Sequence, residues 1–287
     1  MRYRVCHTTR YEYAAPVSLC HNEARLTPRP LAWQEVGETA LEVSPNPSVL
    51  QSRRDFFGNE VSFFSVQELH QVLQVTASTE VETRPRPSPP ASANRDWQQA
   101  VRHARGKPAL RQFQLDSPFV ARHAALARFA TPSFPVGRGL LDAVNDLNQR
   151  LFDTFAYDPE FSTLATPVLD VLHARRGVCQ DFAHLMIACL RSLGLAARYV
   201  SGYLETLPPP GQPRLVGADA SHAWLGVYLP TWGWLELDPT NGTWPDERHL
   251  VLGWGRDYGD VPPLKGVMNG GGSHQLAVAV DVEPLGA

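Results

Sequence analysis

Between Thr83 and Pro90 the chain reads Thr-Arg-Pro-Arg-Pro-Ser-Pro-Pro, four prolines in eight residues. Neither a strand ladder nor a helix runs through such a segment, because each proline removes an N–H donor and fixes its own φ. What folds before it and what folds after it are therefore expected to be separate units: an N-terminal domain over 1–84, a linker and lead-in over 85–108, and a second domain over 109–287. A proline-rich run can also serve as a ligand for an adaptor module, but a stiff spacer is the reading favoured here. The chain has 287 residues, 43% hydrophobic and 19% charged, which suits one to three soluble domains with a sizeable core.

The first unit reads as β-structure. Short runs such as Tyr3-Arg4-Val5, Thr39 to Val43 and Val61 to Val66 are separated by Pro and Gly turns. From Leu69 to Val81 the pattern alternates, with Val72, Gln74 and Thr76 on one face and Val75, Ala77 and Thr79 on the other. A half-buried antiparallel strand has this period, and a sandwich or barrel-like all-β domain is expected.

Several functions are disfavoured by composition. Net charge is −3 and no Lys/Arg-rich run stands ready to neutralise phosphates, so nucleic acid is not expected as a partner. The N-terminus Met1-Arg2-Tyr3-Arg4-Val5-Cys6 lacks a long apolar signal region. No stretch approaches the ~18 apolar residues of a membrane span, and the expected location is the cytoplasm. Cys6, Cys20, Cys179 and Cys189 have neither the number nor the spacing of a disulfide framework or zinc site, so free thiols are expected. Asp and Glu are scattered rather than grouped at calcium-ligand spacing. Neither a metal nor an organic cofactor is called for.

Beyond the prolines, Ala121–Phe129 and Leu140–Phe155 carry helical periodicity. Within the segment Arg175 to Gly194 a third helix puts Phe182, Leu185, Met186, Cys189, Leu190 and Leu193 on one stripe and stops at Gly194. Cys179 falls in its first turn, where unpaired N–H groups and the positive end of the helix dipole favour a thiolate. For Cys6, Cys20 and Cys189 the simpler reading is a small buried hydrophobe.

Downstream, Ala220 to Thr240 holds two strand-like runs around a Pro/Gly turn, a hairpin. If His222 is to face Asp238 across it, Ala223 pairs with Leu237, Leu225 with Leu235 and Val227 with Gly233, leaving the loop Tyr228 to Trp232. That register puts Ala223, Leu225, Val227, Leu235 and Leu237 on one face. His222, Trp224, Trp234, Glu236 and Asp238 share the other, where a carboxylate can hold an imidazole in the tautomer a thiol needs.

Three segments carry a resemblance: Gly177 to Ala183 around Cys179, Ser221 to Trp224 around His222, and Leu237 to Gly242 around Asp238. In order and context they resemble the core motifs of bacterial transglutaminase-like proteins. His7 to Tyr11, Arg25 to Arg29 and Asp55 to Asn59 resemble the β-domain that precedes this core in one bacterial branch, and Trp254 to Val261 extends the likeness towards the C-terminus. The resemblance implies an α+β papain/transglutaminase-like core, with the nucleophile at a helix N-terminus packed on an antiparallel sheet. It further implies a catalytic triad: Cys179 attacks a carbonyl, His222 moves the proton, and Asp238 orients His222.

The Cys179 backbone N–H is the first expected oxyanion donor. Tyr157 is the candidate for the second, because in this superfamily that donor often lies upstream of the nucleophile; a packed aromatic at a helix end is the alternative. Asp181 is expected to cap the helix rather than to take part in chemistry. His184, one turn past Gln180, lacks a second Cys/His pair with which to hold zinc. Trp224, Trp234 and Trp254 either line a substrate cleft or fill a core. Gly270 to Gly272 reads as a tight turn before a last strand, and Leu207 to Pro213 as a rim of the cleft. A peptide or protein substrate follows from the resemblance. Hydrolysis of a peptide or amide bond is favoured over transfer to an amine, since no feature is dedicated to an amine, and a non-catalytic module of the same fold is the remaining alternative.

Overall fold

The computed structural model describes residues 1–206 and 220–286; Leu207 to Pro213 lies outside the described residues. The first sheet is built on β1 (Arg2–Ala24), a strand of 23 residues. Pro16 and a register shift between Glu12 and Val17 divide it. Its first half pairs with β5 (His70–Thr83) and its second half with β4 (Glu60–Val66), while β2 (Gln34–Ser44) extends β5 and β3 (Val49–Arg54) extends β4. Pro16 has no N–H to give a ladder, which suits the point where the strand bends and changes partner. The result is one curved antiparallel half-barrel rather than two packed sheets. In β5 the expected alternation is clean, with Leu73, Val75, Ala77, Thr79 and Val81 buried.

The helices come next: α1 (Trp97–Arg105), α2 (Pro108–Arg111), α3 (Ala124–Ala130), α4 (Leu140–Thr154), α5 (Val168–Ala174) and α6 (Cys179–Ser192). Two short strands, β6 (Ala156–Tyr157) and β7 (Arg176–Gly177), pair in parallel just ahead of α6. Residues 85–108 are more than a spacer. Asp96 caps α1 by accepting from the N–H of Gln98, and Ala100 and Val101 enter the main core. α6 is buried all round from Asp181 to Arg191, not along one stripe, because helices cover one side and a sheet the other.

That sheet runs β10 (Gly233–Leu237), β9 (Ala220–Leu229), β8 (Ala197–Leu204), β11 (His249–Gly255), all antiparallel. Ala223, Leu225, Val227, Leu235 and Leu237 face α6 in the largest core cluster, as the hairpin pattern predicts.

The expected assignment of 109–287 to one second unit is corrected by the last two strands. β12 (Leu264–Gly270) and β13 (His274–Leu285) pair with β1 and complete the first sheet. Their turn uses Gly270, Gly271 and Gly272, all at positive φ. Period two marks β13 as a strand but does not say which sheet it joins. Its Val280 and Val282 pack with Tyr3, Val5 and Val81 against Tyr203, Leu250 and Leu252 of the central sheet. Polar contacts tie the same two sheets: Asn59 accepts from Trp254 N–H and donates to Trp254 C=O, and the Arg29 N–H donates to Val251 C=O. No helix among the described residues is long and apolar enough to cross a membrane.

Candidate active site

Cys179 is placed by its approach. α5 ends with Arg175 in the left-handed region, β7 pairs with β6, and Val178 is extended, so the next residue opens α6. A Cβ on Gly177 would lie 2.7 Å from Asp181 Oδ2, so the approach requires glycine. Asp181 Oδ2 accepts from the N–H of Val178 at 2.8 Å and from the Ser162 hydroxyl at 2.5 Å. Burial raises its pKa against these two donors. The expected cap is thus present on the residue before the helix, which leaves the N–H of Cys179 for another acceptor.

His222 and Asp238 meet, but by a different register from the one expected. Leu237 pairs with Leu225, Leu235 with Val227 and Gly233 with Leu229, a slip of two residues that shortens the loop to Pro230–Trp232. An even slip keeps every side chain on its predicted face. Asp238, just past β10, is therefore diagonal to His222 rather than opposite, a relation side chains of this length can span. Nε2 of His222 lies 2.8 Å from Asp238 Oδ2, and the Cys179 sulfur is near enough to the ring to raise its pKa. Nε2 is engaged by the carboxylate, so Nδ1 is the nitrogen left for sulfur.

Asp238 is fully buried and surrounded by donors. Oδ1 accepts from the backbone N–H of Thr240 and Asn241, at 2.9 and 3.3 Å. Oδ2 accepts from Asn241 Nδ2 at 2.7 Å, from His222, and from Nε2 of His249 at 3.2 Å. Burial opposes the charge, yet the hydrogen bonds from His222 and His249, the charge of His222 and the Asn241 amide hold the carboxyl well below its usual range. For His222, burial alone would lower the pKa. The hydrogen bond to Asp238, the nearby Cys179 sulfur and the charges of both outweigh burial and push it up to about 10.

His249 and Asn241 are the residues that sequence reasoning missed. Asn241 lies inside the Asp238 motif and was legible as a short-range donor. His249 is 11 residues further on, in β11, with no motif around it. Its Nε2 must carry a proton, because an ionised carboxylate only accepts. Its Nδ1 lies 3.1 Å from the backbone nitrogen of Asp246 and 3.0 Å from Asp246 Oδ1.

The lesser candidates separate. Tyr157 pairs with Gly177 across β6 and β7 and is 60% exposed, and its phenol pKa is raised by partial burial and by Cys179. Trp224 lines no open cleft: it is fully buried, its Nε1 donates to Glu236 at 2.8 Å, and its ring lies 5.9 Å from that of His222. Its face of the sheet is covered, a fact the hairpin pattern does not carry. Trp234 and Trp254 do line a cavity, although Cys179 and His222 do not. His184 accepts from the Tyr258 N–H at 3.1 Å, and burial with the charge of Arg191 lowers its pKa to about 3. It is a neutral packing histidine.

Among the described residues, His222, Asp238 and His249 are a group at metal-ligand spacing, with ligand atoms within 4.8 Å of one another. Both Nε2 atoms already point at Asp238, so a cation there would have to displace protons from them. The arrangement otherwise suits proton movement between sulfur and imidazole.

A cysteine at a helix start, beside an imidazole held by a buried carboxylate on an adjoining antiparallel sheet, gives an α+β core. The comparisons name its family. Residues 3–82 match the bacterial transglutaminase-like N-terminal region, and residues 135–239 the transglutaminase-like superfamily core. An uncharacterized Mycobacterium tuberculosis protein is 41% identical over 99% of this chain and 93% of its own, and a Mycobacterium leprae protein 36% identical over 99% of both. A Pseudomonas aeruginosa protein-glutamine gamma-glutamyltransferase is 31% identical over 52% of this chain and 23% of its own length. The crystal structure of a proposed cysteine protease from Cytophaga hutchinsonii matches with TM-score 0.77 at 19% identity, covering 100% of this chain and 92% of the other. The chain belongs to the transglutaminase-like superfamily, with the bacterial N-terminal region preceding the core.

Proposed function

We propose that the protein is a thiol hydrolase that cleaves peptide or amide bonds through Cys179, His222 and Asp238. The observation that carries this reading is the imidazole of His222, 2.8 Å from the buried carboxylate of Asp238 and beside Cys179, which together push its pKa up to about 10. A ring so held readily keeps the proton it takes from sulfur. In the proposed reaction Sγ attacks the carbonyl carbon, and the oxyanion meets the N–H of Cys179, with Tyr157 as the candidate second donor. His222 then protonates the leaving amine, and water, deprotonated by His222, attacks the thioester. Asp238 stays ionised throughout and fixes the ring. The four free cysteines suit a reducing compartment such as the cytoplasm.

A second reading is transfer of the acyl group to an amine, favoured by the name of the Pseudomonas aeruginosa relative. Both reactions share the thioester, and they differ in whether an amine or water reaches it. A pool of peptides, some containing glutamine, offered with and without a tagged primary amine and read by mass, separates them. Cleaved or deamidated peptides without tag support hydrolysis. Tag incorporation that needs Cys179 and outpaces water overturns it in favour of transfer. Absence of any product that depends on Cys179 would revive the non-catalytic module.

A further inference from the structure

Where the proline-rich segment lies against the central sheet there is a cavity of about 620 Å³ that no member of the candidate triad lines. Its walls are largely indole: Trp33 just before β2, Trp232 and Trp234 from the β9–β10 hairpin, Trp244 from the segment after β10, and Trp254 from β11. The charged residues lining it are Arg86, Arg198 and Glu236.

Two guanidinium groups share one carboxylate here. Glu236 Oε2 accepts from Arg86 Nη1 and from Trp224 Nε1. Arg198 Nη2 is 3.5 Å from Oε1, which receives no hydrogen bond. Nε of Arg86 and Nε of Arg198 also lack a partner among the described residues. Arg198 is not a surface group. Its side chain is 6% exposed, and its guanidinium lies 4.6 Å from the Trp234 ring centre and 3.7 Å from that of Trp254. Arg29 stacks on Trp254 at 3.7 Å as well, so the two guanidinium groups take opposite faces of that indole. Burial and the charge of Arg29 lower the Arg198 pKa to about 10 even with Glu236 present. The site is thus short of negative charge, and two buried donors point at no protein acceptor.

These features narrow the occupant. The volume suits a small molecule, and the site lies at a junction of domains, where such cavities are common. A neutral ring would stack on the indoles but leave the cations uncompensated, and a cationic ligand would meet two arginines. A flat aromatic body carrying a carboxylate satisfies both, because its ring stacks on indole and guanidinium planes while its oxygens accept from the arginines. We propose that this cavity binds a small aromatic carboxylate, with its ring among the indoles and its carboxylate on Arg86 and Arg198, at a site distinct from Cys179.

The probe is 2-naphthoate, with 2-naphthalenemethanol as its uncharged counterpart, titrated by calorimetry into the full chain near neutral pH. The expected result is saturable binding of one naphthoate per chain, about tenfold or more tighter than the alcohol. Arg86→Gln and Trp232→Ala should each weaken it by about tenfold or more, and Cys179→Ala should leave it unchanged. Arg86 lies in an irregular segment and Trp232 in a turn, and if one variant unfolds, the other variant and the comparison with the alcohol still decide. No saturable binding at millimolar naphthoate, equal affinity for the alcohol, or binding abolished by Cys179→Ala would each overturn the proposal.

Discussion

Each of the four thiols sits in a different environment, which makes selectivity testable without a known substrate. Cys189 is fully buried and burial pushes its thiol up to about 12; Cys20 is buried and raised as well. Cys6 is half-buried on β1, and Cys179 is near enough to the His222 imidazole to raise its pKa. Iodoacetamide near neutral pH is therefore expected to label Cys179 first, as mapped by peptide mass, and faster labelling of any other cysteine would contradict the assignment. Asp238→Asn keeps the shape of the side chain but removes the charge that raises His222. Labelling of Cys179 should then slow by about tenfold or more near neutral pH. His249→Ala removes one donor from the same buried carboxylate and should slow labelling by less, while costing about 1–3 kcal/mol of stability. Unchanged labelling and stability in His249→Ala would reduce the His249 contact to coincidence.

At the scale of elements, the turn after β10 is what brings Asp238 to His222. Gly242 sits there at φ +65°, and a Cβ on it would lie 2.7 Å from Phe152 Cγ on α4. Gly242→Ala should cost about 1–2 kcal/mol, read from denaturant unfolding, and slow Cys179 labelling by disturbing Asn241. Stability equal to the parent would show that the turn tolerates a side chain. The Cys179 helix was legible because its start, its apolar spacing and its glycine stop all lie within twenty consecutive residues. The faces of the β9–β10 hairpin were legible because side-chain direction has period two, and the register was not, because a slip of two changes no face. The partner of β13 was out of reach for a related reason. Val280 and Val282 declare a buried face, but the residues they meet, Tyr3 and Val81, lie about two hundred or more positions away. His249 escaped in the same way, since its role exists only where β11 lies beside β8 and the Asp238 turn.

The union of the two sheets makes stability depend on a histidine outside the candidate site, and α6 adds a second. His7 of β1 is 1% exposed, bonds the Tyr203 hydroxyl of β8 through Nδ1 at 3.0 Å, and touches Thr9 through Nε2 at 3.0 Å. Burial lowers its pKa from 6.5 to about 4, and His184 falls to about 3 by burial and the charge of Arg191. Between those values and 6.5 the unfolded chain binds more protons than the folded one, so stability rises with pH across the window and is lost on acidification. Each such histidine contributes a slope of up to about 1.4 kcal/mol per pH unit. His222 has the opposite sign: raised to about 10, it stabilises the fold below 6.5, and that contribution drains away as pH climbs through 10. Equilibrium unfolding in denaturant across this range should therefore show greatest stability near neutral pH. His7→Gln, which keeps a polar partner for Tyr203 but cannot take up a proton, should flatten the acid limb below pH 6.5 by up to about 1.4 kcal/mol per pH unit and leave the alkaline limb as it was. Cys179→Ala should act on the alkaline limb instead, because Cys179 is one of the two groups that raise His222. An acid limb equally steep in His7→Gln and the parent would mean that the contact between the sheets does not govern acid stability, and that other groups carry the proton uptake on unfolding.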